Sequence, residues 1–285
     1  MTRIQPVHGV PALAVGNCLV IADLHIGVES HLRSKGYHLV SRTGEMLKAI
    51  VDSADDCIDR LAVLGDVKDS VPGTSKQEYS EIPDFFERLF ERFDVIDVVK
   101  GNHDVGIEGF LPGRVKVHPA TGMRLGDVGM VHGHRWPSKD VMACRTLVMA
   151  HNHPAVMFVD GVGKITTEPC WIRGRFSAVS DDVYPSLPES FIVIPAFNRM
   201  LGGSPMNSAE TEPIGPILGS GLVDFDGSRF YLLDGVDLGR RSDLMTDRWM
   251  SPLRFHWKIP YYGIIPISDT NDVMPLNKNQ NRMNF

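Results

Sequence analysis

Short apolar runs that stop abruptly at Gly, Asp, Asn or His recur through the first half of the chain. They cover residues 18–22, 61–64, 95–99, 130–131 and 147–150, and they lead into DLHIG, GDVKD, KGNHD, HGH and HNHP. Runs of this length that are rich in Val, Ile and Leu predict strands buried on both faces. The sequence therefore predicts several buried strands, each followed by a polar turn.

Two longer segments between the first three runs have the spacing of amphipathic helices. The apolar residues that share a face in these segments are Met46, Leu47, Ile50 and Val51, and then Phe85, Phe86, Leu89, Phe90 and Phe93. We expect the Phe-rich face in the core. Strands and helices that alternate in this way predict a parallel sheet with helical crossovers.

The second half of the chain changes to short apolar runs separated by Gly-rich turns. We expect this half, from about residue 115, to be mostly strands that form a second sheet packed on the first. The dipeptide Asp226-Gly227 predicts a hairpin turn. From residue 242 an aromatic stretch leads into a polar end, so we predict one domain over 1–241 and a partly disordered tail over 242–285.

Composition narrows the class of protein. The 285 residues are 43% apolar and 22% charged, which is ordinary for a single α/β domain. The net charge of -6 argues against binding of nucleic acid through bulk positive charge, but it leaves a local basic groove open. The cysteines form no C-x-x-C pair and are expected to be buried or idle thiols in a reducing compartment; they are Cys18, Cys57, Cys144 and Cys170.

The chain shows neither the apolar core of a signal peptide nor a run of about 18 apolar residues. We therefore expect a cytoplasmic protein with no membrane partner. The sequence leaves the oligomeric state open, a homodimer included.

Side chains that can bind metals follow the predicted strands. Asp23 and His25 are two positions apart at a strand end, so we expect both on one face, and His151 and His153 repeat this spacing. Because ligands collect outside the carboxyl ends of strands in open α/β sheets, these side chains are expected to meet on one rim. The proposed metal ligands are Asp23, His25, Asp66, Asn102, His132, His151 and His153.

The chemistry of these donors indicates the kind of site. Carboxylate, carboxamide and imidazole groups without thiolate suit Mn²⁺, Fe or Zn²⁺, and we expect Mn²⁺, with Ni²⁺ as a further alternative. The donors exceed what one tetrahedral ion uses, so we expect two divalent ions, with Asp66 as the bridge because it stands alone after its strand. Two ions about 3.5–4 Å apart suit in-line displacement at phosphorus, and they would convert a bridging water to hydroxide. We therefore expect a hydrolase whose substrate is a phosphate ester.

The ordered series DLH, GD, GNHD, HG and H-x-H resembles the calcineurin-like metallophosphoesterase superfamily. GDVKD and FIVIPAFNRMLGG are similar to the archaeal SbcD-related phosphoesterases, and bacterial relatives associated with DNA ligase operons look like close cousins. The resemblance covers about residues 10–240. It implies a four-layer α/β/β/α sandwich of two mixed sheets flanked by helices. It also implies the following assignment: Asp23, His25 and His153 on one metal, Asn102, His132 and His151 on the other, and Asp66 between them.

The resemblance further implies two catalytic residues. His103 of GNHD would lie beside the substrate, where it stabilises the phosphoryl oxygens or protonates the leaving oxygen. Asp104 or Asp69 would orient His103 through a carboxylate–imidazole hydrogen bond, and we favour Asp104 as part of the motif. Two positions depart from the family pattern: Asp69 stands where close relatives often have His, and Ala150 replaces the usual Gly before H-x-H.

Other residues near the motifs are less specific. His134 is expected to support the site or to face the substrate. Trp136 either stacks on a base or sugar or packs behind the site, and the PAFN segment at 195–198 has no role that its chemistry identifies. The candidate phosphate contacts are Lys68, Arg33, Lys35, Arg42 and Arg135, with Lys68 and Arg135 ranked first, although a solvated surface is the commoner fate of such residues.

Three functions stay open on the sequence alone. The first is a metal-dependent phosphodiesterase, with a DNA nuclease as its narrower form. The second is a phosphatase or pyrophosphatase acting on a nucleotide or other small phosphate ester, which would use the same site. The third is a non-catalytic scaffold of the same fold, which should lack His103 or several ligands, whereas this chain has them all.

Overall fold

Two mixed β-sheets packed face to face form the body of the protein. The computed structural model describes residues 2–177 and 183–246, and all structural statements concern these ranges. A buried apolar cluster that includes Val20, Leu64 and Trp171 joins the two sheets, and a further cluster covers the outer face of each. This arrangement confirms the predicted four-layer sandwich.

Six strands and three α-helices make up the described first half of the chain. They are β1 (Ile4–Pro6), β2 (Leu13–Val15), β3 (Cys18–Ile21), α1 (Val28–Ser34), α2 (Thr43–Asp52), β4 (Arg60–Leu64), α3 (Lys76–Leu89), β5 (Val95–Val99) and β6 (Lys116–His118), with a 3₁₀ turn at Ile107–Gly109. The strands form one sheet in numerical order; β1 to β3 pair antiparallel, and β3 to β6 pair parallel. The predicted crossovers are confirmed, because α1 and α2 connect β3 to β4 and α3 connects β4 to β5.

Helix α3 places the Phe-rich segment in the core, but it ends earlier than the apolar spacing indicated. Its start is a capping box in which Ser75 and Glu78 each accept a hydrogen bond from the other's backbone amide. The helix ends at Leu89, so Phe90 and Phe93 lie beyond it. Phe93 is nevertheless buried against the first sheet, because the chain turns back there toward β5.

Nine strands form the second sheet within the described residues. The elements are β7 (Met123–Leu125), β8 (Val128–Val131), α4 (Lys139–Met142), β9 (Thr146–Met149), β10 (Pro154–Val159), β11 (Ile165–Arg175), β12 (Ser190–Val193), β13 (Ser204–Pro205), β14 (Arg229–Leu232), β15 (Asp237–Arg240) and α5 (Arg241–Leu244). The order is β13-β10-β11-β12-β9-β8-β7, and β14 and β15 extend from β11. The fourth layer consists of the one-turn helix α4 and of loops that carry Tyr184, Ile217 and Leu218.

The hairpin predicted at Asp226-Gly227 is wrong. A neighbouring hairpin joins β14 to β15, and its turn contains another Asp-Gly step, Asp234-Gly235. At the first step the Gly227 amide donates to the carboxylate of Asp224, 2.9 Å away, which closes a local turn without a strand before it. The same dipeptide therefore serves two kinds of turn.

The predicted tail over 242–285 lies outside the described residues from residue 247 onward. Its first residues stay on the body of the protein. The Asn207 side chain donates to the Leu244 carbonyl oxygen at 3.1 Å, and the Thr246 amide donates to the Asn207 carbonyl oxygen at 3.0 Å. In the described part of the chain, no helix has the length and apolar character needed to cross a membrane. All four cysteines are free, and only Cys57 is exposed.

Candidate metal centre

Five of the seven proposed ligands have a left-handed backbone conformation that residues other than glycine rarely adopt. The φ angles are +56° at Asp23, +40° at His25, +51° at Asp66, +69° at His151 and +43° at His153, and no other described non-glycine residue has a positive φ. Each such residue costs about 1–3 kcal/mol and persists where its surroundings hold it, which is typical of ligand sites. We expected side chains two positions apart to share a face because they lay on a strand. That reason is wrong, because these residues lie in the loops that follow the strands.

The first group of potential ligands contains Asp23, His25 and His153. One donor atom from each lies within 4.8 Å of the others. The Asp23 carboxylate oxygen Oδ1 is 3.3 Å from Nε2 of His153, and the rings of His25 and His153 meet edge to face with centroids 5.4 Å apart. The loops after β3 and β9 therefore bring these side chains together from the two different sheets.

The second group contains Asp66, His132 and His151, and Asn102 lies against it. Nε2 of His132 is 3.3 Å from Oδ2 of Asp66 and 3.1 Å from Nδ1 of His151. The Asn102 oxygen Oδ1 is 3.1 Å from the same Nε2. The other ring nitrogen of His132, Nδ1, contacts the Leu64 carbonyl oxygen at 2.8 Å, which fixes the plane of the ring.

Asp66 lies between the two groups. Its Oδ2 is 3.5 Å from Nε2 of His25 in the first group and 3.3 Å from Nε2 of His132 in the second. Its other oxygen, Oδ1, accepts a hydrogen bond from the His103 amide at 2.9 Å. A single carboxylate oxygen therefore faces nitrogen donors from both groups.

The charges of these side chains compensate one another. Burial opposes the ionised form of Asp66, but the neighbouring His132 outweighs it and holds the pKa of that carboxyl well below its usual range. Burial likewise opposes charge on His132, and the carboxylates of Asp66 and Asp23 raise its pKa to about 9. Burial and the charge on His132 lower the pKa of His151 to about 3. A proton on His132 thus balances the carboxylates, and a bound cation would take over that role.

The residues present fit divalent metal ions. Both carboxylate oxygens of Asp23 are buried, and neither has a hydrogen-bond partner within the described residues. A buried carboxylate without such a partner is costly unless a cation satisfies it. Oxygen and imidazole donors without thiolate suit divalent ions such as Mn²⁺, Fe²⁺ or Zn²⁺. The described residues therefore contain two candidate metal-binding groups that lie side by side.

His103 lies next to both groups. Its Nε2 is 4.0 Å from Oδ2 of Asp66, and its ring is 4.8 Å from that of His25 between centroids. Its Nδ1 is 2.6 Å from the Asp69 carbonyl oxygen. Because a carbonyl oxygen can only accept, Nδ1 carries the hydrogen and Nε2 faces Asp66. Nδ1 of His103 thus contacts the main chain of Asp69, whereas we expected it to contact the carboxylate of Asp104 or Asp69.

The carboxylates of the two aspartates have other partners. Asp104 is buried and accepts hydrogen bonds from the amides of Val67 at 2.9 Å and Gly101 at 2.8 Å, so it ties the GD loop to the GNHD loop. Burial and the charge on Asp66 raise the pKa of Asp104 to about 6. The Asp69 oxygen Oδ1 is 3.2 Å from Nδ1 of His25, which orients that ring toward Asp66.

Lys68, ranked first among the candidate phosphate contacts, serves the fold instead. Its ammonium group is buried and donates to the carbonyl oxygens of Ser70 at 2.6 Å and Gly73 at 2.9 Å. These bonds hold the loop that follows Asp66. The prediction that Lys68 contacts phosphate is therefore wrong.

The other basic candidates differ in whether their charged groups already have partners. The guanidinium of Arg33 donates to the Gln77 side chain at 2.6 Å, and that of Arg42 pairs with Glu45 at the same distance. Lys35 and Arg135 are exposed, and Arg135 follows the loop of His132 directly. Arg135, three residues after His132, therefore stays a candidate phosphate contact.

The loop after His132 also carries His134 and Trp136. The His134 ring is 5.2 Å from that of His132 between centroids, and burial together with the charge on His132 lowers the pKa of His134 to about 4. The Trp136 side chain is half-exposed, and its ring is 6.1 Å from that of Tyr184. The Tyr184 hydroxyl donates to the Pro137 carbonyl oxygen at 2.8 Å, which braces the loop. His134 therefore belongs beside the second group.

Sequence reasoning missed two supports of the site. The Glu78 carboxylate accepts from the amides of Asp69 and Ser70 at 2.9 and 2.6 Å, so it holds the loop that contacts His25 and His103. The S-x-x-E capping box before α3 was the available signal. The second support is Gly101, which lets the Asp66 side chain pack against the GNHD loop. A Cβ at this position would lie 2.1 Å from Oδ1 of Asp66.

Comparison with known proteins gives remote structural likenesses. No protein-family model and no curated protein matches the chain. The nuclease MPE of Pseudomonas putida is 18% identical with a TM-score of 0.46, and the match covers 81% of this chain and 96% of that one. The phosphoesterase YfcE from E. coli is 15% identical with a TM-score of 0.34, covering 78% and 97%. A metallophosphoesterase from Sphaerobacter thermophilus is 15% identical with a TM-score of 0.31, covering 80% and 90%. Because these likenesses are remote, the function proposed below rests on the residues of the site.

Proposed function

We propose that this protein is a metal-dependent phosphoesterase that hydrolyses phosphodiester bonds with two divalent metal ions, Mn²⁺ being the expected metal. Asp66 would bridge the two ions. The remaining ligands would be Asp23, His25 and His153 on one ion and Asn102, His132 and His151 on the other. The substrate is a phosphate ester, and a DNA nuclease is the narrower form of the proposal.

The position of Asp66 is the observation that carries this proposal. Its Oδ2 lies 3.5 Å from a nitrogen of the first group and 3.3 Å from a nitrogen of the second. Structural zinc sites bind one ion with four ligands and need no shared carboxylate. Two ions joined by a carboxylate are typical of sites that stabilise both the attacking and the leaving oxygen at phosphorus.

The chain's own residues would position the reacting groups. The chemistry that bound divalent ions supply at such a site is polarisation of the phosphoryl oxygens and a lowered pKa of a bound water. The Asp69 carboxylate holds the His25 ring in place, and the Asp69 carbonyl oxygen holds the His103 ring. Since Nδ1 of His103 carries its hydrogen toward Asp69, its Nε2 is the atom that would hold the proton for the leaving oxygen.

Hydrolysis of synthetic esters tests this function. Metal-free protein is reloaded with Mn²⁺, Ni²⁺ or Zn²⁺ and assayed with bis-(p-nitrophenyl) phosphate, p-nitrophenyl phosphate and labelled single- and double-stranded DNA. We expect turnover of the diester, and we expect its loss in Asp66→Asn and His103→Gln. Asp97→Asn and His118→Gln are the matched controls, because this Asp–His pair, 2.7 Å apart between Oδ1 and Nε2, lies outside the site.

Each outcome decides between the functions left open. If the monoester is turned over and the diester is not, the second function, a phosphatase, replaces the phosphodiesterase. If DNA stays intact while the diester is cleaved, the nuclease form alone fails. A wild-type protein that binds metal but is inert on every substrate would favour the scaffold.

A further inference from the structure

The loop that carries Asp23 and His25 is hydrogen-bonded on both sides, although it is not part of a sheet. On one side it follows the GD loop, through three bonds of 2.9–3.1 Å from amides to carbonyl oxygens: Asp23 to Gly65, His25 to Asp66, and Ile26 to Val67. These bonds resemble a continuation of the β3–β4 pairing beyond the strand ends. The GD loop therefore holds one edge of this segment.

The PAFN segment at 195–198 holds the other edge. The Phe197 amide donates to the Ala22 carbonyl oxygen at 2.9 Å, and the Asn198 amide donates to that of Asp23 at 3.3 Å. The Asn198 side chain then donates from Nδ2 to the Leu24 carbonyl oxygen at 2.9 Å. Asn198 is itself buried, and its Oδ1 accepts from the Met200 amide at 3.0 Å, so the orientation of its amide group is determined.

Leu24 is the position at which this support matters most. It is fully buried and lies between Asp23 and His25, whose left-handed φ angles of +56° and +40° are both strained. A buried carbonyl oxygen that loses its donor costs about 1–3 kcal/mol. The backbone could avoid this cost by turning the Leu24 carbonyl group, and that movement would also relieve the strain at Asp23 and His25. The Asn198 side chain therefore opposes the relaxation that would turn the Asp23 and His25 side chains away from each other.

We propose that Asn198 is a positioning residue for one metal position, the one held by Asp23, His25 and His153; this inference rests on the proposed function. The second position has supports of its own, the Leu64 carbonyl oxygen against His132 and the His103 amide against Asp66. Within the described residues, the hydrogen bonds of Asn198 reach only residues 23–24 and 200–201. Loss of its side-chain donor should therefore weaken one of two metal-binding steps.

Metal binding tests the assignment without an activity assay. Metal-free full-length protein is titrated with Mn²⁺ by calorimetry, and the paired-ion signal is followed by electron paramagnetic resonance. Asn198→Asp keeps the shape of the side chain but replaces its amide donor with a carboxylate oxygen. Asn198→Ser adds no charge, and its side chain is too short to donate to the Leu24 carbonyl oxygen. In both variants we expect one step to weaken about 10–100-fold, the usual effect of losing such a support, and the other to change less than about 3-fold.

Asn207 provides the matched control. It is equally buried and also brackets main chain, accepting from the Met157 amide at 2.8 Å and donating to the Met157 carbonyl oxygen at 2.9 Å, on β10. Asn207→Asp and Asn207→Ser should lower stability and leave both Mn²⁺ steps unchanged. If they weaken Mn²⁺ binding as the Asn198 variants do, the effect is general destabilisation and the inference is overturned.

A double variant and the wild-type titration distinguish failure of this inference from failure of the proposed function. In Asp23→Asn, which removes a ligand of the first position, Asn198→Ser should cause no further loss at the step that remains. Further weakening there would contradict the assignment to one position. Wild-type protein that binds no Mn²⁺ would instead defeat the proposed function. Two normal steps in both Asn198 variants would defeat this inference and leave the function standing.

Discussion

Gly65 offers a sharp test of how closely the site is packed. It lies where β4 ends and the Asp66 loop begins, with a φ of +79°. A Cβ at this position would lie 2.5 Å from Nδ1 of His132 and 2.8 Å from the Gly101 Cα. Both distances are far below van der Waals contact, and one of the two neighbours is backbone. Gly65→Ala must therefore displace the His132 ring or separate the two loops.

The size of the effect follows from two separate costs. Alanine in a left-handed conformation costs about 1–2 kcal/mol. Overpacking of a well-packed interior adds about 1–3 kcal/mol. We therefore expect Gly65→Ala to lower the free energy of unfolding by about 2–5 kcal/mol. Gly235, at the β14–β15 turn, is the control, because its φ is +89° and no atom of residues 2–177 or 183–246 lies within 4 Å of an added Cβ. Gly235→Ala should incur only the first cost.

Urea unfolding of both variants without metal measures this difference, with m-values checked for equality. Mn²⁺ titration of the same samples should show one weakened step in Gly65→Ala and none in Gly235→Ala. If the two variants lose the same stability and bind Mn²⁺ alike, the His132 ring has room to move. The argument that Gly65 is required for the close approach would then be refuted.

Three further predictions concern charge, metal and packing. Burial opposes ionisation of Asp97, but hydrogen bonds from His118 and Arg60 lower its pKa. The ionised carboxylate therefore stabilises the folded protein above the unfolded pKa of about 4, and this stabilisation is lost as pH falls through the folded pKa. The stability difference between wild type and Asp97→Asn should therefore shrink between pH 6 and pH 3 in urea titrations; a constant difference would contradict this. For each site, free Mn²⁺ at about 100 times its Kd should stabilise the protein by about 2.7 kcal/mol and raise Tm by about 5–10 °C, and EDTA should reverse the shift; an unchanged melting curve would count against the metal centre. Tyr184→Phe should cost about 1 kcal/mol through loss of the hydroxyl bond to Pro137, and a loss above about 3 kcal/mol would show that more than this bond is involved.

The order of buried strands and polar turns was accessible from the sequence. Apolar runs are long enough to mark β3, β4, β5, β8 and β9, and each polar turn after them falls at the same rim of the sandwich. The convergence of His153 with Asp23, and of His151 with His132, follows from that order together with the family resemblance. Hydrophobic burial therefore accounts for most of the predictable part.

Main-chain partners account for most of the rest. The contact of His103 with the Asp69 carbonyl oxygen, and the burial of Lys68 against carbonyl oxygens, leave no mark on residue types, because every residue has a carbonyl group. The left-handed conformation of the five ligands was equally hidden, since glycine is the residue that usually signals it and none of these positions is a glycine. Asn198 was noticed as part of a motif, but its role depends on a partner at Leu24, far away in the chain.

The distribution of the ligands over the two sheets has a mechanical consequence. Asp23 and Asp66 follow strands of the first sheet, whereas His132 and His153 follow strands of the second. An ion held by both would act as a removable cross-link, and it would stabilise the folded state because the unfolded chain does not offer this site. Loading and removal of metal would then change how readily the sheets part at the rim, more than how firmly each sheet holds together. Amide hydrogen exchange should respond to metal first along that seam.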